Sequence, residues 1–199
     1  MPRKIHKQDA SARLYDSAEI YGWISILLHW TTTVIVIALW FIGKSILNGS
    51  SEDAEDVRQL HVSIAASAWL LILFRIVWRL RSGHPHINGQ SMLIHRIAKF
   101  THYGMLVFLT VMLVSGPLLV WSSCSAIGIF DVLLIPGPVA ESEALRSFAW
   151  LLHSNASLLL FVLILLHIGG ALKHLMFHTD DTIIRMIWPG RQDNPVAEE

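Results

Sequence analysis

Four stretches of this chain contain no Asp, Glu, Lys or Arg, and they constrain its fold more than any other feature. They run from Ile20 to Gly43, Gln59 to Phe74, Phe100 to Phe130 and Ser147 to Leu172. A bilayer core about 30 Å thick takes about 20 mostly apolar residues in a helix. The second stretch is shorter, but Arg75 and Arg79 at its end can snorkel to the interface and extend it to Leu80. The spacing predicts four transmembrane helices, at about 22–43, 60–80, 100–121 and 148–172, with Gly116-Pro117 as a kink or an end of the third. The expected class is an all-α membrane protein, one four-helix bundle spanning residues 1–199. Strands are not expected, since a barrel needs short alternating segments. The first span starts too late and runs too long for a signal peptide.

Composition agrees. Only 15% of the 199 residues are charged, against about 25% in a soluble domain. Fifteen basic residues balance fifteen acidic ones, which leaves no basic excess for nucleic acid. Cys124 is the single cysteine, so neither an intrachain disulfide nor a thiolate cluster can form. Twelve of the basic residues fall before the first span, in the second connection or in the tail. Only Lys44, Arg58 and Arg146 fall elsewhere. The positive-inside rule then puts both termini on the cytoplasmic side. The outer connections hold Glu52, Asp53, Glu55, Asp56, Asp131, Glu141 and Glu143. The segment 122–146 has a hydrophobic middle, Ile127 to Ile135, too short to span. It reads as a structured outer loop or an interfacial helix.

Eleven histidines stand in this apolar chain. An ionisable residue inside a span points to function. His29, His61, His102, His153 and His167 lie in or at the spans, and no carboxylate lies among them. That argues against an Asp–His proton relay and against a zinc or manganese transport site. Neutral imidazoles in an apolar bundle suit haem iron. His29 and His167 fall near the inner side; His61 and His153 fall near the outer ends of the second and fourth spans. His153 and His167 are 14 residues apart, about 21 Å of rise and nearly a whole number of turns. Pairing by depth joins His29 with His167 and His61 with His153. His102 lies at a depth like that of His29, so spacing leaves it open as an inner ligand. His6, His84, His86 and His178 read as solvated, and His174 follows His167 by two turns at the inner side. Gly169-Gly170-Ala171 and Ala65-Ala66-Ser67-Ala68 offer room for a flat macrocycle or for close helix packing. Arg75, Arg79 and Lys99 are candidates for haem propionates or simple helix anchors. The eight Trp read mostly as an interfacial belt.

The motifs Ile26-Leu27-Leu28-His29-Trp30, Leu60-His61-Val62-Ser63, Leu152-His153 with Leu166-His167, and Ala171-Leu172-Lys173-His174 followed by Asp181-Thr182-Ile183-Ile184-Arg185-Met186 stand in an order that covers nearly the whole chain. Together they resemble the bacterial cytochrome b561 family of four-helix dihaem membrane proteins. The resemblance implies two haems b per chain, one held by His29 and His167, the other by His61 and His153. It gives the place of His102 to a non-ligand histidine, hence to packing or a haem hydrogen bond. It also implies electron transfer to or from quinone, in one form the oxidation of superoxide outside with reduction of ubiquinone. The position of His174 is linked there to the quinone site, which suits a catalytic proton donor, perhaps helped by Lys173. Seven outer acids against three bases do not supply the positive potential that steers an anion. The alternative is an electron-transfer subunit that anchors a hydrogenase or dehydrogenase, with the outer loop as its docking surface. A non-redox transporter would be colourless.

Overall fold

The computed structural model describes residues 14–17, 21–48, 51–82, 92–177 and 186–187, side chains excepted at 51–52 and 174–177. Among them are four helices: α1 (Trp23–Asn48), α2 (Ser51–Arg81), α3 (Met92–Trp121) and α4 (Glu143–Phe177). Between α3 and α4 lies an antiparallel hairpin, β1 (Ile127–Ile129) with β2 (Leu133–Ile135), in which Gly128 faces Leu134. All four helices are long and apolar enough to cross a membrane.

Each helix outruns its expected span. α2 begins at Ser51 and not near 60, and α3 at Met92 and not near 100. An apolar run measures the thickness of lipid, whereas a helix can continue into water on its own hydrogen bonds. The first turns of α2 do so, with the Arg58 guanidinium bonded to the Glu55 carboxylate one turn back. Gly116-Pro117 does not end α3, which runs on to Trp121. Pro117 has no N–H to offer the carbonyl of Leu113, four residues back. The indole of Trp69 on α2 takes that carbonyl instead, at 3.0 Å. Around this lock Ala68, Ile72, Ile76 and Leu113 form the buried core between α2 and α3.

The helix starts are held by side chains. The Asp16 carboxylate accepts the Gly22 N–H at 2.8 Å and the Ser25 hydroxyl at 2.6 Å, so a negative group faces the first turn of α1. Trp78 of α2 donates its indole N–H to Ser25 Oγ at 2.8 Å, joining the two helices there. Trp30 reaches the Met186 carbonyl at 2.7 Å, beyond the end of α4. Trp121 donates to Ile135 at 3.4 Å. Several tryptophans therefore join elements through their indole N–H.

The hairpin corrects the expectation that strands are absent and gives the structured loop its form. Val132 N–H donates to Ile129 O at 3.0 Å, and the turn residues Phe130 and Asp131 have φ of 46° and 56°. Ser63 fastens β1 to α2, donating to the Gly128 carbonyl at 3.2 Å and accepting the Phe130 N–H at 3.0 Å. β1 is largely buried, while β2 is exposed throughout, Val132 before it reaching 89%. Ser142 N–H to Ser122 O, 3.1 Å, closes the segment at its base.

α1 packs along α2, α3 along α4, and α2 touches α3; the backbone of α4 hardly approaches those of α1 and α2 among the described residues. On α4, Ala149, Ala156, Leu160 and Leu163 are buried. His153 and His167 continue that stripe at steps of three and four, so both rings point inward by the same periodicity. One end of the bundle carries Arg75, Arg79 and Lys99, and the other carries the hairpin.

Candidate functional site

Two pairs of histidine rings face each other across the helices. At the basic end His29 of α1 and His167 of α4 stand 6.2 Å apart, centroid to centroid, at 70° between planes. At the hairpin end His61 of α2 and His153 of α4 stand 6.4 Å apart at 76°. These are the partners that depth alone predicted. Two imidazoles bound end-on to one metal from opposite sides would stand about 6 Å apart, given metal–nitrogen bonds of about 2 Å. Both pairs have that spacing.

His102 of α3 lies closer to His167, 5.0 Å between centroids at 65°. That is shorter than a shared metal would set, while the tilt is like that of the other two pairs, so distance alone sets this contact apart. No group of three or more His, Cys, Asp or Glu that could hold one ion gathers among the described residues.

The surroundings of the hairpin-end pair fit a bulky ligand held by imidazole. The Nδ1–Cε1 edge of each ring is turned to a glycine on another helix. A Cβ placed on Gly43 of α1 would touch His61 Cε1 at 3.4 Å, and one on Gly116 of α3 would touch His153 Cε1 at 3.5 Å. Nδ1 of His153 is 3.1 Å from Ser115 Oγ. Nδ1 of His61 is buried with no hydrogen-bond partner of good geometry, although the Leu39 carbonyl lies beside that ring. Between the two pairs Trp40 of α1 stacks on Phe161 of α4, 3.8 Å apart and 7° from parallel. This ring pair joins the two helices where their backbones are far apart.

The paired rings, with single glycines covering those at the hairpin end, offer imidazole donors of the kind that hold haem. A family model of prokaryotic cytochrome b561 matches residues 20–189. The chain belongs to the prokaryotic cytochrome b561 family. It is also 28% identical over 184 residues to "Cytochrome b561 homolog 2" of Escherichia coli (strain K12), covering 89% of this chain and 96% of that one. As a cytochrome b561 it is a multi-pass bacterial membrane protein of electron transport. Membership implies haem b and a redox or quinone partner in the membrane.

Other expected site features are placed differently. Gly169 and Gly170 face open space, with nothing within 4 Å of a Cβ built on either. Ala68 is spent on the core with α3. The small residues that meet histidine rings are Gly43 and Gly116, which the sequence marks only as the end of one charge-free stretch and as a presumed break. Arg75 and Arg79 lie within electrostatic reach of His29. The Arg79 guanidinium stands over the Tyr21 ring at 5.7 Å, and Lys99 over Tyr103 at 6.0 Å. His95 is exposed. The side chain of His174 lies outside the described residues, as do His6, His84, His86, His178 and the motif from Asp181 to Arg185.

Proposed function

We propose that this cytochrome binds two haems b, by His29 with His167 and by His61 with His153, and moves electrons across the membrane to or from quinone. The observation that carries the proposal is the pair of cross-helix imidazole couples at 6.2 and 6.4 Å. Haem iron supplies a one-electron change between ferrous and ferric states. The chain supplies bis-imidazole ligation, an apolar surround and a fixed spacing of about 21 Å along α4 between the histidines that serve the two sites. Both termini would face the cytoplasm, with the hairpin outside.

The test is a reduced-minus-oxidised spectrum of the purified chain with a haem-to-protein ratio. Two haems per chain and a Soret band are expected; a colourless protein overturns the proposal. His153→Ala should remove one haem and leave the other with its spectrum unchanged. Retention of both would refute the pairing.

On the inner side His174, with Lys173 beside it, is proposed to deliver protons to reduced quinone, a task suited to a group that titrates near neutral pH. His174→Ala should slow quinone reduction while the haem spectrum stays intact, and unchanged quinone kinetics would remove that role.

Two donors fit. Superoxide, which the family resemblance implies, would react as two superoxide plus ubiquinone plus two protons giving two O2 plus ubiquinol. A second reading, an outer protein subunit such as a hydrogenase or dehydrogenase, is favoured by two observations. Arg58 and Arg146 each stand beside a carboxylate, Glu55 and Glu143, which offsets part of the positive potential of two of the three outer bases. The hairpin also exposes Val132, Leu133 and Leu134. Purification separates the readings: superoxide-dependent quinone reduction by the chain alone supports the first, and co-purification with a large outer subunit supports the second.

A further inference from the structure

Ser115 lies on α3, 1% exposed, against the ring of His153. A hydroxyl has one hydrogen and two lone pairs. Ser115 Oγ is 2.7 Å from the Val111 carbonyl oxygen, which can only accept, so the hydroxyl hydrogen is committed there. The same Oγ is 3.1 Å from His153 Nδ1. With its hydrogen spent, Oγ can take part in that second contact only as an acceptor. Nδ1 must then carry the ring proton, and Nε2 is left with a free lone pair.

Back-bonding of a serine or threonine to the preceding turn is common and needs no function. Ser67, Thr101 and Thr110 do the same in this bundle. What separates Ser115 is the second bond, to a histidine ring, in a place with almost no access to solvent. His61, across from His153, has the Leu39 carbonyl beside its ring but no side-chain partner of good geometry on Nδ1.

We propose that Ser115 is a positioning residue for the hairpin-end haem: it holds His153 in the tautomer that binds metal through Nε2 and makes that nitrogen a stronger donor. The proposal rests on the ligand pairing put forward above. An acceptor on the far nitrogen of a ligating imidazole raises the ligand's basicity and fixes its ring orientation. A stronger donor favours ferric over ferrous iron, so Ser115 holds the midpoint potential of this haem below the value it would have without the bond.

The experiment is a potentiometric titration of the purified holoprotein, followed optically, with Ser115→Ala, Ser115→Thr and His153→Ala. His153→Ala identifies which midpoint belongs to the hairpin-end haem, as the one that disappears. Ser115→Ala should keep both haems and shift that midpoint upward while the other stays put, and Ser115→Thr, which restores a hydroxyl, should bring it back. An unmoved midpoint in Ser115→Ala overturns the proposal. If Ser115→Ala loses the haem, Ser115→Thr decides. Retention at the wild-type midpoint supports the role of the hydroxyl, and loss in both variants overturns it. Failure of the underlying pairing shows itself separately, because His153→Ala would then keep both haems.

Discussion

Single hydrogen bonds between side chain and backbone set much of how this bundle is joined. The carbonyl of Leu113 is free because Pro117 cannot bond to it, and Trp69 uses it. In lipid such a bond has few competitors, yet measured interhelical bonds in membranes average about 0.6 kcal/mol. Trp69→Phe keeps most of the ring and deletes the donor. It should destabilise the bundle by about 0.6 kcal/mol or somewhat more, read as a lower midpoint in denaturing-detergent titration, with the haem spectrum of the folded protein unchanged. A midpoint equal to wild type would mean the bond contributes nothing net. The four paired histidines were legible in the sequence because depth and helical period are both countable. Ser115 was not. A serine in an apolar span looks the same whether it bonds only backward or also to a ring on the next helix.

At the scale of elements, the apolar runs located all four helices, since only lipid demands such runs. Their ends were misjudged where the chain leaves lipid and stays helical, as from Ser51 to Gln59, where charged residues look like a loop to a reading based on hydropathy. The hairpin was invisible for another reason. Its strands are three residues each, too short for alternation to show. Its turn places Phe130 and Asp131 at positive φ without a glycine between them, so the usual composition signal of a tight turn is missing. The anchor that holds it, Ser63, lies 65 residues earlier on α2. No local pattern could have joined the two. The same holds for Gly43 and Gly116, whose use depends on rings brought in by other helices.

For the whole molecule, charge distribution gives a direction to test. If the hairpin end faces outward, Cys124 provides the probe, being the only cysteine in the chain and exposed. A membrane-impermeant maleimide should label it in intact spheroplasts. Labelling only after permeabilisation would reverse the orientation, and the basic residues of the second connection would then sit on the wrong side for the positive-inside rule.

Both inward rings of α4 hang from one unbroken rod, so their bearing relative to each other is set by residue count alone. Adding a single amino acid between 153 and 167 would swing one ring by about 100° around the axis and point it away from its partner. Adding seven would restore the bearing and lengthen the interval by roughly 10 Å. The rod is a ruler with a few permitted marks, and descendants of this protein can change the gap between these two rings only in jumps.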